Sequence, residues 1–253
     1  MRRLFILLSL LISSFSLAEE KTIILAADPW CPWNCSDSSG IALDIAREVY
    51  EPLGYKVEYS SLSWSRAIAE AVAGRVTGLV GADRGIVEIK DFIFPKVAIS
   101  HFDDVYVVRD DSKFVYKGIG SLKDQAIGII DNYHFGDEIG QYIEDNYNNS
   151  KIIHKVTGTD GAYQSLEKLV TGHIDMYLDD RIVILYTAQK HGLADKIKIG
   201  GHLKEDLSHY IVFSPAFPDA QKLADLYDAG VIKLKADGRY KKIFAKYGLE
   251  PTN

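Results

Sequence analysis

Short runs rich in β-branched residues alternate along this chain with longer stretches of helical period. Thr22-Ile23-Ile24-Leu25, Lys56-Val57-Glu58-Tyr59 and Gly78-Leu79-Val80 predict strands, with helices over 41–53 and 66–73 between them. Strand, helix and strand in that order predict parallel pairing through right-handed crossovers. The extended run Val105-Tyr106-Val107-Val108 breaks the pattern and can leave one sheet for another. A second series follows, with strands over 126–130, 152–153 and 174–178 and helices over 136–147 and 160–170. Tyr210-Ile211-Val212-Phe213 predicts a returning strand, and helices over 219–236 and 240–247 follow, with Gly238 and Gly248 as their stops. The pattern divides the chain into two α/β lobes, one from 19–106 completed by 209–253 and the other from 107–208. No internal repeat, low-complexity tract or long flexible linker interrupts it, so the lobes are expected to be joined by short crossing strands.

The first residues modify this picture. Arg2 and Arg3 precede an apolar run from Leu4 to Leu11, which fades through Ser13 and Ser14 into Ser16-Leu17-Ala18. Basic start, short apolar middle and small-x-small exit predict a secretory signal peptide over 1–18, cleaved after Ala18 and too short to remain as a membrane span. No cysteine stands at that junction. The mature protein is therefore expected to be periplasmic, free in solution and not lipid-anchored.

The formal charge of -6 becomes more negative when the two leader arginines leave. An acidic chain without a basic run offers no electrostatic footprint for nucleic acid or an anionic membrane. Hydrophobic residues make up 47% of the 253 positions, enough for one large core or two smaller ones. The two cysteines fall in Trp30-Cys31-Pro32-Trp33-Asn34-Cys35. In an oxidising compartment so close a pair predicts a Cys31–Cys35 disulfide closing a small loop. Two thiolates without a third cysteine or a nearby histidine supply only half of a tetrahedral zinc shell, so no metal and no cofactor is expected.

Several stretches occur in a recognisable order. Gly40-Ile41-Ala42-Leu43-Asp44-Ile45 leads a helix toward Leu53-Gly54, Trp64 opens a helix running to Gly74, and Asp91-Phe92 is followed by Pro95. Ser121-Leu122-Lys123 precedes Ile127-Gly128; Leu169 and Gly172 precede Ile174-Asp175 and then Asp180; Lys235-Ala236-Asp237-Gly238 precedes Tyr240-Lys241-Lys242-Ile243. Through these residues the chain resembles the amino-acid-type extracellular solute-binding proteins of family 3 over nearly its whole mature length. The resemblance implies a type II periplasmic-binding-protein-like fold, two α/β lobes joined by a short two-strand hinge. It also implies capture of a small polar solute, an amino acid or related compound, without catalysis, by a monomer that serves an ABC permease in the inner membrane. Clefts between domains are preferred ligand sites, and short connecting strands absorb a hinge rotation.

The same resemblance marks Trp64 as a ring set against the ligand and places a second ring at Trp30 or Trp33, where a core or loop-packing role competes. It marks Asp180 as the partner of a ligand ammonium. Its competing role is a helix N-cap, and Asp179 can exchange roles with it. Two departures concern the ligand carboxylate. Ile86 stands where the family usually has an arginine, with Arg84 two residues earlier as the displaced candidate. The family's Gly-Thr anion site is replaced by Asp131-Asn132-Tyr133-His134, in which Asn132 and Tyr133 remain donors while Asp131 and Asp137 repel an anion. The competing functions are an exported dehydratase on the same fold, with His134 or a cleft carboxylate as proton donor, and an accessory sensor protein. Gly-x-Ser-x-Gly, phosphate-loop and His-Glu-x-x-His motifs are absent, and the seven histidines are dispersed.

Overall fold

In the computed structural model, described over residues 21–101, 103–203 and 208–251, the chain begins with β1 (Lys21–Ala27). The signal peptide expected over 1–18 lies outside the described residues. α1 (Ile41–Tyr50), β2 (Tyr55–Ser61), α2 (Trp64–Val72), β3 (Gly78–Ala82) and the short β4 (Ser100–His101) follow. The apolar residues of α1 recur so that Ile41, Ala42, Ile45, Ala46 and Val49 fall on one stripe, which is buried. The helix ends at Tyr50 rather than running on to Leu53: Pro52 has no N–H to continue the helical ladder, and a 3-10 turn takes over at Glu51–Leu53.

The second half comprises β5 (Asp104–Arg109), β6 (Ile127–Ile130), α3 (Asp137–Asn146), β7 (Ile153–Val156), α4 (Gly161–Val170), β8 (Met176–Asp180), α5 (Arg181–Lys190) and β9 (Ile197–His202). The chain then returns through β10 (Ser208–Phe213) and finishes with α6 (Ala220–Ala236) and α7 (Arg239–Lys246). Two five-stranded sheets result, ordered β2-β1-β3-β10-β4 and β7-β6-β8-β5-β9. β1 runs parallel to β2 and β3, and β6 parallel to β7 and β8, as the alternating pattern requires; β10 and β5 join antiparallel. Tyr106 pairs with Leu178 inside β5, so the change of sheet precedes Asp104 and the division expected between Tyr106 and Val107 falls within a strand.

One apolar core fills the first lobe, and two smaller clusters lie on opposite faces of the second sheet, Tyr177 on one and Met176 with Leu178 on the other. Alternation of that kind is the period-2 signature of a strand. Val183, at the start of α5, belongs to the first lobe's core although its helix belongs to the second lobe. The two lobes are thus pressed together.

Candidate functional site

The parallel strands of each sheet point their carboxyl ends at the other lobe, the end where open α/β sheets place their ligands. Asp28 follows β1, Asp83 follows β3, Tyr133 and His134 follow β6, and Asp179 stands near the end of β8. The antiparallel partners bring their opposite ends to the same place. Asp104 opens β5 opposite Asp180, and His209 lies in β10 beside the residue that faces Ala82. Asp28, Asp83, Asp104, Tyr133, His134, Asp179 and His209 line a cleft together with Trp30, Trp64 and Ile86.

Hydrogen bonds cross the cleft directly. Trp30 Nε1 donates to Asp179 Oδ1 at 2.8 Å, Trp33 Nε1 to Asp180 Oδ1 at 3.2 Å and the Tyr133 hydroxyl to Asp28 Oδ2 at 2.8 Å. His134 Nδ1 lies 3.0 Å from Asp83 Oδ1, which also receives the Gly85 amide at 2.6 Å. At the rim, Asn132 Nδ2 donates to Ser65 Oγ at 2.7 Å. These contacts describe a closed cleft. Its walls are aromatic: Trp64 meets Tyr133 edge to face with ring centroids 6.4 Å apart, and Trp30 lies 5.2 Å from His209. Gly81, beside the Trp30 ring, holds φ +84°, a backbone conformation that side-chain-bearing residues rarely adopt.

Electrostatically the cleft is an acidic enclosure. Burial pushes Asp28 up to about 7, against the Tyr133 hydrogen bond, and pushes Asp179 up to about 6, against bonds from Tyr177 and Trp30. Burial also carries Asp180 up to about 7. Asp104 is raised well above the ordinary carboxylate range, by burial first and then by the charges of Asp180, Asp179, Asp83 and Asp103. Asp83 is the exception. Burial alone would raise it, but the bond to His134 and the charges of His134 and His209 hold it below its usual value. A buried, uncompensated carboxylate costs several kcal/mol, so the cleft is poised to accept a proton or a cation.

The residues singled out in the sequence separate into three groups. Trp30, Trp64 and Tyr133 line the cleft together. Asp180 does not: its Oδ1 accepts the Ile182 and Val183 amides at 3.0 and 3.1 Å as the N-cap of α5, and its Oδ2 accepts the Asp103 amide. Its carboxylate is taken up by the start of α5 and by the Trp33 indole, while Asp179 lines the cleft. Asn132 and Arg84 are also elsewhere. Asn132 is an exposed residue at φ 62° whose amide latches Ser65, and the Arg84 guanidinium lies 4.6 Å from the Phe94 ring and 5.0 Å from Tyr210, directed at the Pro95 carbonyl. Ile86, by contrast, faces the cleft. Cys31 and Cys35 are joined by a disulfide beside Trp30.

Asp28, Asp104 and His209 have no counterpart among the residues expected from the sequence. Each stands at a strand end, where acids and histidines are ordinary; the available signal was position at the carboxyl end of a parallel strand or the start of an antiparallel one.

Comparison with known proteins places this geometry. The chain matches the model of the bacterial extracellular solute-binding proteins, family 3, over residues 23–250. It is 23% identical over 211 residues to the L-cystine-binding protein TcyA of Bacillus subtilis (strain 168), covering 83% of this chain and 72% of the relative. Among solved structures, one described for glutathione import in Gram-positive bacteria via GshT and the cystine ABC importer TcyBC of Streptococcus mutans superposes with a TM-score of 0.76 at 16% identity, over 93% of this chain and 98% of the other. A histidine kinase sensor domain with similarity to periplasmic binding proteins superposes at 0.73 with 20% identity, over 92% and 99%.

Proposed function

Because the chain belongs to the bacterial extracellular solute-binding proteins, family 3, we propose that it captures one small polar solute between its lobes in the periplasm and delivers it to an ABC importer. The observation that carries this reading is the enclosed cleft, lined from both lobes and bridged by Trp30–Asp179 and Tyr133–Asp28. A solute touching both walls favours the closed over the open form by its differential contacts, and closure in turn presents one recognisable face to a permease. Trp30, Trp64 and Tyr133 supply flat walls, and the carboxylates at the strand ends supply polar selectivity. Related proteins are described as binding L-cystine and as serving glutathione and cystine import, which supports a nitrogen-containing solute as cargo.

Native mass spectrometry of the purified protein tests the reading, with amino acids, L-cystine, glutathione, amines and sugars offered in turn. One solute retained one to one and released chemically unchanged is the expected result. A solute released as a dehydrated product would overturn the reading in favour of an enzyme, and retention of none would overturn it outright.

A further inference from the structure

We propose that the solute is an organic amine carrying no carboxylate, held as a cation by Asp104, Asp28 and Asp179 between the rings of Trp30, Trp64 and Tyr133. The inference rests on the solute-binding reading and specifies its ligand. Among the described residues no lysine or arginine lines the cleft, whereas Asp28, Asp83, Asp104 and Asp179 all do. Arg84, the one guanidinium nearby in sequence, is turned against Phe94 and Tyr210. The two imidazoles that face the cleft are engaged with the acids and rings already there: His134 with Asp83 at 3.0 Å, and His209 against Trp30. An α-amino acid would bring its carboxylate among these acids with no lysine or arginine among the described lining residues to receive it and with both imidazoles already engaged, and like charges at short range in a desolvated site repel strongly.

Asp104 supplies an independent observation. It is only 8% exposed and lines the cleft, yet among the described residues no donor is found for its carboxylate. Asp28 and Asp179 accept bonds from Tyr133, Trp30 and Tyr177 but have no lysine or arginine partner among the described residues. A buried acid in that condition awaits a proton or a cation. An inorganic ion is the poorer fit, because among the described residues no three histidine, cysteine, aspartate or glutamate side chains converge to ligate one. The aromatic walls of the cleft suit instead an ammonium or guanidinium on a carbon frame, whose cation lies over a ring face while its N–H groups reach the carboxylates.

Isothermal titration at pH 7.5 of agmatine, cadaverine, histamine and tyramine, each beside the amino acid from which it differs by the carboxylate (L-arginine, L-lysine, L-histidine, L-tyrosine), reads the proposal. At least one amine is expected to bind, and at least tenfold more tightly than its amino acid. Asp104→Asn is expected to weaken that amine tenfold or more while leaving the ligand-free melting temperature unchanged or raised. An amino acid that binds as tightly as its amine, an Asp104→Asn protein of unchanged affinity, or the failure of all four amines overturns it. Native mass spectrometry after incubation with yeast extract separates the two levels: a neutral or anionic solute retained one to one overturns the amine assignment alone, while no retained solute removes the solute-binding reading as well.

Discussion

The indole nitrogen of Trp30 in the first lobe lies 2.8 Å from the Asp179 carboxylate of the second, 149 residues away. One side chain thereby forms a wall of the cleft and fastens it shut. Trp30→Phe keeps most of the wall and removes the fastening. A hydrogen bond to a charged group contributes about 1.5–3 kcal/mol, so solute affinity is expected to fall roughly tenfold or more. Small-angle scattering of the variant in the presence of solute should show a larger fraction of open molecules; unchanged affinity would show that the bond does not contribute to closure.

Gly85 is required where His134 descends from the opposite lobe. A Cβ added there would lie 2.2 Å from His134 Cε1, while the glycine's own backbone conformation is one that alanine tolerates. Gly85→Ala is therefore expected to displace the imidazole from Asp83 and hold the lobes apart, weakening solute by about tenfold, with a ligand-free melting temperature within about 2 °C of the parent. Titration calorimetry and thermal melting of the same sample check both halves.

Three buried acids where the lobes meet, Asp28, Asp179 and Asp180, favour the ligand-free folded protein at mildly acidic pH. Asp28 and Asp180 at about 7 and Asp179 at about 6 keep their protons in the folded chain, whereas unfolded aspartates lose theirs near 4. Between those limits the folded state binds more protons, so unfolding free energy falls as pH rises through the window from about 4 to about 7. Thermal melting should give a midpoint lower at pH 8 than at pH 5, by roughly 5 °C or more. Asp28→Asn, which leaves an acceptor for Tyr133, should flatten that slope.

Asp180 stabilises α5 and is not expected to meet solute. Asp180→Ala removes a cap that accepts two amides and the Trp33 indole, an expected loss of about 1–2 kcal/mol and a midpoint lower by about 2–8 °C. Asp180→Asn retains the accepting oxygen and should recover much of it. A melting series of the three proteins decides.

Most of the strands and amphipathic helices were legible in the chain because each buries one face against its own sheet, and that burial is written as a local period. α5 was not, for a reason visible in Ile182-Val183-Ile184-Leu185. Val183 enters the first lobe's core, Ile184 the second's, and Leu185 remains 40% exposed, so a helix wedged between lobes has no single apolar stripe to display. β9 escaped notice as well, since Ile197–His202 carries two glycines that weaken a strand's signature.

The aromatic residues of the cleft could be named from sequence through the family resemblance, Trp30 and Trp64 as rings and Tyr133 as a donor. Its acids could not. Asp179 and Asp180 are adjacent and chemically identical, and only the tertiary structure gives one to the cleft and the other to the start of α5. Asp28 and Asp104 are 76 positions apart and ordinary in their own surroundings; their burial arises when the two lobes meet. Local pattern thus records how each segment packs on its own sheet. The charge of the cleft is set by which strand ends confront one another across it, a relation between distant parts of the chain that no local period encodes.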